Sequence, residues 1–374
     1  MIGAVGAMTI EPNNPVPVGI LPRQAIERLI AGGQIELSEP AVPDQIQPAS
    51  LDLRLGSLAW RVRASFLPGP EHTVGEKLQT YSLHEISLDD GAVLETGCVY
   101  IVALLEALAL DGRISAATNP KSSTGRLDVF TRVIADGGVA FDQIPPGYRG
   151  PLYAEICPQT FPILVRKGSR LSQVRFRSGP ANSSDDDMRA LQHEQKLVSG
   201  DRADITGGVA LSVDLAGGAD GRIGYRAKRH TGVVDVDAAG AHETAEFWEP
   251  ISAMPDRRLI LDPDQFYILA SKEAVHVPPT HAAEMVPFNP LVGEFRVHYA
   301  GFFDPGFGHA AVGGTGARAV LEVRSHNVPF ILEDGQIVGR LVYERLCEVP
   351  DTLYGQGIGS DYQAQGLKLS KHFR

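Results

Sequence analysis

Short runs of alternating apolar and polar residues, separated by glycine and proline, recur along the 374-residue chain. Such runs are LYAEICP at 152–158, SQVRF at 172–176 and GRLVYERL at 339–346. A two-residue period is typical of half-buried strands, and the 40 Gly and 26 Pro supply many tight connections. The pattern predicts a mainly β protein with a barrel or sandwich in each half and few helices.

Two segments predict helices. PRQAIERLIAGG at 22–33 places Ile26, Leu29 and Ile30 on one face, and it begins at proline and ends at glycine. Residues 184–198 begin with acidic side chains, which favour a helix N-terminus. We expect a short amphipathic helix before the first barrel and a second helix in a linker.

The chain also repeats itself. VYIVALLEAL at 99–108 aligns with FYILASKEAV at 266–275, and the same offset pairs Glu155 with Glu322. Two blocks in one register indicate duplicated domains with loop insertions.

These features divide the chain into five parts. The tail is rich in Gly and Gln and carries little apolar surface, so we expect it to be mobile and to lie outside the core. The parts are an N-terminal extension (1–19), a first barrel (20–178), a linker with a helix (179–202), a second, degenerate barrel (203–350) and the tail (351–374).

Composition narrows the class of protein. Hydrophobic residues make up 43% and charged residues 21%, as in soluble globular proteins. A net charge of −11 argues against general electrostatic binding of nucleic acid, and no apolar run is long enough for a membrane helix. Cys98, Cys157 and Cys347 are far apart, which fits a reducing, cytoplasmic location rather than a disulfide framework.

One polar segment carries candidate chemistry. NPKSSTGRLDVF at 119–130 places two serines between a lysine and an arginine. Those side chains suit a phosphate site, but a solvated turn favours similar residues. The segment alone leaves both interpretations open.

Five segments in this order resemble signature segments of the dCTP deaminases, members of the dUTPase-like β-barrel superfamily. They are QIQPASLDLRLG, NPKSSTGRL, PPGYRGPLYAEI, PILVRKGSRLSQVRF and YQAQGLKLSKHF. The resemblance implies two tandem dUTPase-like barrels of the β-clip type, with a C-terminal lid. The length and the duplication are similar to the long, tandem form of the enzyme.

The resemblance implies hydrolytic deamination of dCTP to dUTP and ammonia, which supplies dUTP for thymidylate synthesis, without a catalytic metal. The H-x-E and P-C-x-x-C motifs of zinc deaminases do not occur in the sequence, so no catalytic zinc is expected. A carboxylate must then take the proton of the attacking water and return protons to the ring nitrogen and the leaving amine. Glu155, in LYAEI, stands where the family places its catalytic glutamate.

The same resemblance implies roles for the serine segment. Ser122 and Arg126 are expected near the attacking water, and Ser123 and Lys121 toward the triphosphate. Lys121 departs from the family, which more often has arginine there and so a bidentate phosphate contact.

Neither half carries the complete family pattern. The first half lacks the family's Asp-Pro-Gly, and its nearest acid for the sugar hydroxyl is Asp142. The second half retains this motif at Asp304 but has Leu291-Val292 in place of the two serines.

We therefore expect a composite site. Asp304 of repeat two is added to the repeat-one residues, while Glu322 is interpreted as structural or vestigial and Asp52 and Arg54 as turn residues near the barrel interface. The repeat-one residues of this site are Lys121, Ser122, Ser123, Arg126 and Glu155.

The tail and the ligands complete this hypothesis. Tyr362, Gln363, Gln365 and Lys368 are expected to close over the triphosphate, which carries Mg²⁺ on its phosphate oxygens. The family also implies dTTP as a feedback inhibitor. A homo-oligomer is expected, with a trimer as one closed arrangement.

Two alternatives stay open. The shared barrel allows a dUTPase or a bifunctional deaminase and dUTPase, although Gly147 stands where the dUTPase motif supplies an aspartate. The other alternative is a non-catalytic sensor that binds a nucleotide and reports on its concentration.

Overall fold

The structure is a computed structural model, and it describes residues 17–200, 203–218, 220–287, 295–298, 301–325, 327–356 and 366–374. Strands dominate both halves, so the predicted mainly β fold class is confirmed.

Twelve strands belong to the first repeat. They are β1 (Gly19–Ile20), β2 (Ile35–Leu37), β3 (Leu51–Val62), β4 (Ser82–Ser87), β5 (Ala92–Leu94), β6 (Val99–Ala109), β7 (Ile114–Pro120), β8 (Val129–Ala135), β9 (Gln143–Ile144), β10 (Arg149–Pro158), β11 (Ile163–Val165) and β12 (Arg170–Ser178).

Twelve more strands lie in the described part of the second repeat. They are β13 (Val209–Ser212), β14 (Arg222–Ala227), β15 (Val234–Asp235), β16 (Trp248–Ser252), β17 (Arg258–Leu261), β18 (Phe266–Val275), β19 (His281–Pro287), β20 (Phe295–His298), β21 (Phe302–Phe303), β22 (Ala317–Ser325), β23 (Phe330–Glu333) and β24 (Ile337–Arg345).

Helices are short. Both predicted helices are present, as α1 (Arg23–Ala31) and α4 (Asp185–Gln195), and α4 begins after a capping box between Ser184 and Asp187. The helix α2 (Val74–Tyr81) was not predicted, although Thr73 and Glu76 form a capping box at its start. The helices are α1 (Arg23–Ala31), α2 (Val74–Tyr81), α3 (Ser122–Gly125), α4 (Asp185–Gln195) and α5 (Thr244–Phe247), with a 3₁₀ turn at Ala310–Val312.

The sheets place corresponding strands in the middle of each repeat. The main path of the first repeat runs β8-β10-β6-β3-β12-β7-β9, and β10 lies between β8 and β6. In the second repeat one sheet runs β16-β14-β18-β22-β20, and β22 lies between β18 and β20. The central strands β10 and β22 are therefore held on both sides.

The strand register confirms the internal duplication. Glu155 on β10 lies opposite Ile101, and Glu322 on β22 lies opposite Ile268. These are the residues that the sequence alignment pairs. The two glutamates thus occupy equivalent backbone positions in the two repeats.

The repeats are joined through a shared core. Strand β11 of the first repeat pairs in parallel with β15 of the second, which continues one small sheet across the boundary. One cluster of buried side chains includes Phe161 and Ile163 from the first repeat and Trp248 and Ile268 from the second. Their burial away from water stabilises the two repeats against each other.

The end of the tail is part of this core, so the expected mobile, core-free tail is wrong for residues 366–374. Leu369 is buried, and the Phe373 ring lies 5.3 Å from Phe247 and 5.7 Å from Trp248 between ring centroids. Backbone pairing of His242 with Phe373 fixes the last turn. Few apolar residues suffice because the two repeats together supply the aromatic pocket.

We predict that Phe373→Ala lowers the free energy of unfolding by about 2–4 kcal/mol, since it removes a ring from a packed aromatic cluster. Thermal and denaturant unfolding measure this loss. Arg374→Ala is the matched control, because the Arg374–Glu243 ion pair is exposed and is worth at most about 1 kcal/mol. Equal stability of both variants would show that the C-terminus is not anchored as described.

Candidate active site

A cavity of about 280 Å³ lies between the two repeats. Its polar wall from the first repeat includes the whole predicted Lys-Ser-Ser-Arg set, and its wall from the second repeat includes two acids and several apolar side chains. Lining residues from the first repeat are Asp44, Gln47, Asp52, Lys121, Ser122, Ser123, Arg126, Arg170 and Gln173; those from the second are Met285, Gly301, Phe302, Phe303, Asp304, Phe307, Val320 and Glu322, with Tyr354 and Lys371 from the tail.

The serine segment forms a single helical turn, α3, directly after β7. The Lys121 backbone N–H donates to Leu171 O at 2.9 Å, which fixes the entry to the turn on β12. Leu127, just beyond the turn, is fully buried in the core shared by the repeats. An anchored backbone on both sides holds Ser122 and Arg126 at the cavity wall.

Glu322 faces this turn from the other repeat. It is 5% exposed, and its Oε1 lies 3.7 Å from Arg126 Nε, an ion-pair distance longer than a hydrogen bond. Burial raises the pKa of Glu322 to about 8, and the positive charge of Arg126 opposes that rise. A carboxyl group with this pKa exchanges protons near neutral pH, as a general acid and base requires.

Asp304 is the second acid of the cavity. Its pKa is raised to about 6, chiefly by burial, while Arg175, whose Nη2 lies 3.6 Å from Asp304 Oδ1, lowers it. Within the described residues this Oδ1 atom has no hydrogen-bond partner. A buried acceptor without a donor is costly, so a ligand hydroxyl would find a ready partner here.

Basic side chains are placed at another part of the wall. Lys121 Nζ forms an ion pair with Asp52, and Arg170 Nη1 lies 3.4 Å from the same carboxylate. Asp52 is fully buried, so it holds the two cations at the cavity. Arg54, by contrast, is buried against Glu106 at 2.7 Å and outside the cavity lining, in a structural role.

The structure does not bring Glu155 into this cavity. Glu155 is buried on β10, where its Oε1 accepts from Arg132 Nε at 3.1 Å and Nη2 at 2.5 Å. Asp142 lies in the same region and accepts from Thr118 Oγ1 at 2.7 Å and Val133 N at 2.8 Å. The reason is geometric: the α3 turn of one repeat faces the central strand of the other.

The tail contacts the turn that carries Ser123 and Arg126. Arg126 Nη1 donates to Lys368 O at 3.1 Å, and Ser370 Oγ donates to Ser123 O at 2.8 Å. Lys371 lines the cavity. The predicted lid residues Tyr362, Gln363 and Gln365 lie outside the described residues.

Sequence reasoning missed several residues of the site. Asp52 and Arg170 were not assigned to ligand binding, although both lie in segments that carry the family resemblance. Glu322 was interpreted as structural or vestigial because its own repeat lacks the serines. Its alignment with Glu155 was the available indication that it could act with the serines of the other repeat.

Neither a metal-binding cluster nor a membrane-spanning helix is present in the described ranges. No group of three or more His, Cys, Asp or Glu side chains is arranged there to hold a metal ion. None of the helices found there is long and apolar enough to span a membrane.

Two family models match the chain. Residues 17–180 match the 2'-deoxycytidine 5'-triphosphate deaminase N-terminal domain, and residues 184–373 match the C-terminal domain of the same family.

Curated relatives of the chain carry the name of the same family. A "dCTP deaminase, dUMP-forming" of Methanoculleus marisnigri is 31% identical over 180 residues, which are 46% of this chain and 90% of that protein. One of the same name from Bifidobacterium adolescentis is 30% identical over 149 residues, 39% of this chain and 72% of that protein. A "dCTP deaminase" of Halorubrum lacusprofundi is 27% identical over 154 residues, 40% and 72% of the two chains.

A solved structure extends the likeness over nearly the whole chain. The crystal structure of 2'-deoxycytidine 5'-triphosphate deaminase from Agrobacterium tumefaciens is 61% identical, with a TM-score of 0.86, and the match covers 90% of this chain and 100% of that one. With both of its repeats matched and the predicted serine segment lining an interior cavity, this chain belongs to the dCTP deaminase family.

Proposed function

We propose that this chain deaminates dCTP to dUTP and ammonia in the cavity between its repeats, with Glu322 as the proton-transferring group. One observation carries the assignment. Glu322 of repeat two is buried beside Arg126 and the two serines of repeat one, whereas Glu155 lies elsewhere.

The proton chemistry follows from this geometry. The ionised Glu322 accepts a proton from water as the oxygen attacks C4 of cytosine. The carboxylic acid delivers this proton to the ring nitrogen. The carboxylate then takes the second proton from the new C4 hydroxyl group and passes it to the amino group, so that ammonia leaves as C4 becomes a carbonyl. A pKa of about 8 suits both halves of this cycle, because neither the acid nor the carboxylate form is strongly disfavoured near neutral pH.

Arg126 and Ser122 act beside the attacking water in this proposal. The Arg126 guanidinium favours the carboxylate form of Glu322. The planar fork of a guanidinium group suits a water or a carbonyl oxygen as acceptor. Ser122 supplies a hydroxyl that both donates and accepts.

The rest of the nucleotide is assigned by charge. Asp304 accepts the hydrogen bond of the sugar hydroxyl, because its buried Oδ1 lacks a donor within the described part of the chain. Lys121, Ser123, Arg170 and Lys371 attract the triphosphate. We propose that the substrate enters as its Mg²⁺ complex, since triphosphate oxygens are the hard ligands that Mg²⁺ prefers.

The names of two relatives support dUMP as an alternative product. The proteins from Bifidobacterium adolescentis and Methanoculleus marisnigri carry the name "dCTP deaminase, dUMP-forming". Incubation with dCTP and Mg²⁺, followed by separation of dUTP, dUMP and pyrophosphate, distinguishes the two outcomes. Accumulated dUTP indicates deamination alone, and dUMP with pyrophosphate indicates the bifunctional reaction.

Glu322→Gln is expected to lower kcat for dCTP about 10²- to 10⁴-fold, because it removes the general acid and base and leaves the side-chain volume unchanged. Ammonia release under saturating dCTP measures this effect. Glu155→Gln is the matched comparison, since Glu155 occupies the equivalent backbone position in the other repeat. Loss of activity in Glu155→Gln with normal activity in Glu322→Gln would reverse the assignment.

The raised pKa of Glu322 makes a prediction about stability. A carboxyl group with a folded-state pKa of about 8 and an ordinary value of 4.5 binds more protons in the folded than in the unfolded state. Its stabilising contribution is complete below about pH 4.5 and is lost as pH rises toward about 8, at up to about 1.4 kcal/mol per pH unit.

Denaturant unfolding of wild type and Glu322→Gln in parallel, between about pH 5 and about pH 8, tests this pH dependence across most of the window. The stability of the wild type relative to the variant should fall as pH rises. A difference independent of pH would contradict a buried, protonated Glu322.

Asp304→Asn is expected to lower kcat/KM for dCTP about 10- to 100-fold, because a hydrogen bond to a charged acceptor is weakened. The discriminating substrate is 2',3'-dideoxy-CTP, which lacks the 3'-hydroxyl group. Wild type should prefer dCTP strongly, and Asp304→Asn should lose most of that preference. An unchanged preference in the variant would remove Asp304 from sugar recognition.

A further inference from the structure

A second ion pair, between Asp128 and Arg324, crosses the boundary between the repeats beside the contact of Arg126 with Glu322. Arg126 of repeat one faces Glu322 of repeat two, and two residues further along each segment Asp128 faces Arg324. Glu322 and Arg324 share one face of β22, because side chains of a strand alternate. The first segment thus carries a basic group followed by an acidic one, and the second carries an acidic group followed by a basic one.

Asp128 is fixed on every side. Its backbone N–H donates to Gly125 O at 2.9 Å, and its carbonyl accepts from Gln159 N at 2.9 Å. Its carboxylate is buried and accepts from Thr160 Oγ1 at 2.5 Å. Its φ of 56° lies in the left-handed region, which a residue other than glycine keeps only where its surroundings hold it.

Arg324 is equally constrained. Its Nη2 donates to Asp128 Oδ2 and, at 3.0 Å, to Thr160 Oγ1, while its Nη1 donates to Asp264 O at 2.8 Å. The guanidinium therefore ties the strand that carries Glu322 to the end of the turn that carries Arg126. Asp128 and Arg324 are not among the residues that line the described part of the catalytic cavity.

We propose that Asp128 and Arg324 are positioning residues, whose ion pair sets the register in which Arg126 of one repeat meets Glu322 of the other. This inference rests on the proposed function of Glu322 and adds residues that do not touch the substrate. Burying two charges is costly, and apolar residues of similar volume often stabilise a fold as well or better. Directional contacts, unlike apolar ones, fix one alignment of the two segments.

Removal of the Asp128–Arg324 ion pair is expected to displace Arg126 relative to Glu322. A misplacement of about 1 Å between reacting groups can lower a rate about 100-fold. A displaced Arg126 also opposes less of the rise in the Glu322 pKa caused by burial. Arg126 on the turn lies against Glu322, and the Asp128–Arg324 pair lies beside this contact. The other charged groups on the wall of the same cavity are Asp44, Asp52, Lys121, Arg170, Asp304 and Lys371.

The test uses the full-length protein with Asp128→Asn, Arg324→Gln and the double variant. Each single variant leaves one buried charge without its partner and should lose stability. The double variant removes both charges and should regain most of that stability. We expect its kcat to stay about 100-fold below wild type, with KM changed by much less.

The pH profile separates positioning from mere stabilisation. In the double variant the rising limb of kcat/KM should move upward by about one pH unit, because Glu322 loses part of the influence of a nearby cation. The matched control is the double variant Arg166→Gln with Asp235→Asn, which removes another ion pair between the repeats, with both contacts at 2.8 Å. That control should keep the wild-type kcat and pH limb.

A double variant with wild-type kcat and an unmoved limb would overturn the proposal. If the single variants do not fold, the double variant still decides. If wild-type protein forms neither dUTP nor dUMP, the proposed function fails separately. The proposal for the Asp128–Arg324 pair is then tested by the pH dependence of unfolding, measured with and without Glu322→Gln. An unchanged Glu322 titration in the double variant would overturn the proposal.

Discussion

The buried guanidinium of Arg126 and the buried carboxyl group of Glu322 meet across the boundary between the repeats, and the site is organised around this contact. An isolated ion at this depth loses its hydration without compensation, so the charged form of each group depends on the other. The pairing therefore requires the two repeats to lie in one alignment. The shared apolar core and the continuous sheet through β11 and β15 hold the two repeats against each other.

The duplication explains why each repeat departs from the family pattern. A site formed between repeats needs the serine turn from one copy and the acids from the other. The first repeat keeps Ser122 and Ser123 but has no acid matching Asp304, and the second keeps Asp304 and has Leu291-Val292 instead of the serines. The cavity contains the serines of the repeat that kept them and Asp304 of the other.

The C-terminal segment links the fold to the chemistry. Phe373 is anchored in the aromatic cluster formed by both repeats, while Lys368 and Ser370, a few residues earlier, contact the turn that carries Ser123 and Arg126. The anchor fixes the end of the chain at the rear of the cavity. Arg126 donates a hydrogen bond to the carbonyl of Lys368, and Ser370 donates one to the carbonyl of Ser123, so the same segment serves stability and the site.

Local pattern was enough for much of this protein. The two-residue period predicted the strands, the apolar face and its flanking residues predicted α1, and the alignment of two segments predicted the duplication that the strand register confirms. The serine turn was indicated as a ligand site by the family resemblance and not by its local pattern, which a solvated turn shares. Local pattern missed the helix α2 and the anchored tail, whose burial depends on residues far away in the chain.

The choice of glutamate was beyond any local pattern. Glu155 and Glu322 lie on equivalent strands in equivalent registers, so the sequence determined that a glutamate of this strand belongs to the site but not which copy. Tertiary structure places Glu322 and not Glu155 at the cavity, because the turn of one repeat packs against the strand of the other and leaves Glu155 bound by Arg132. A contact between segments distant in sequence depends on how the domains pack, and that packing is set by the buried surface of the whole chain.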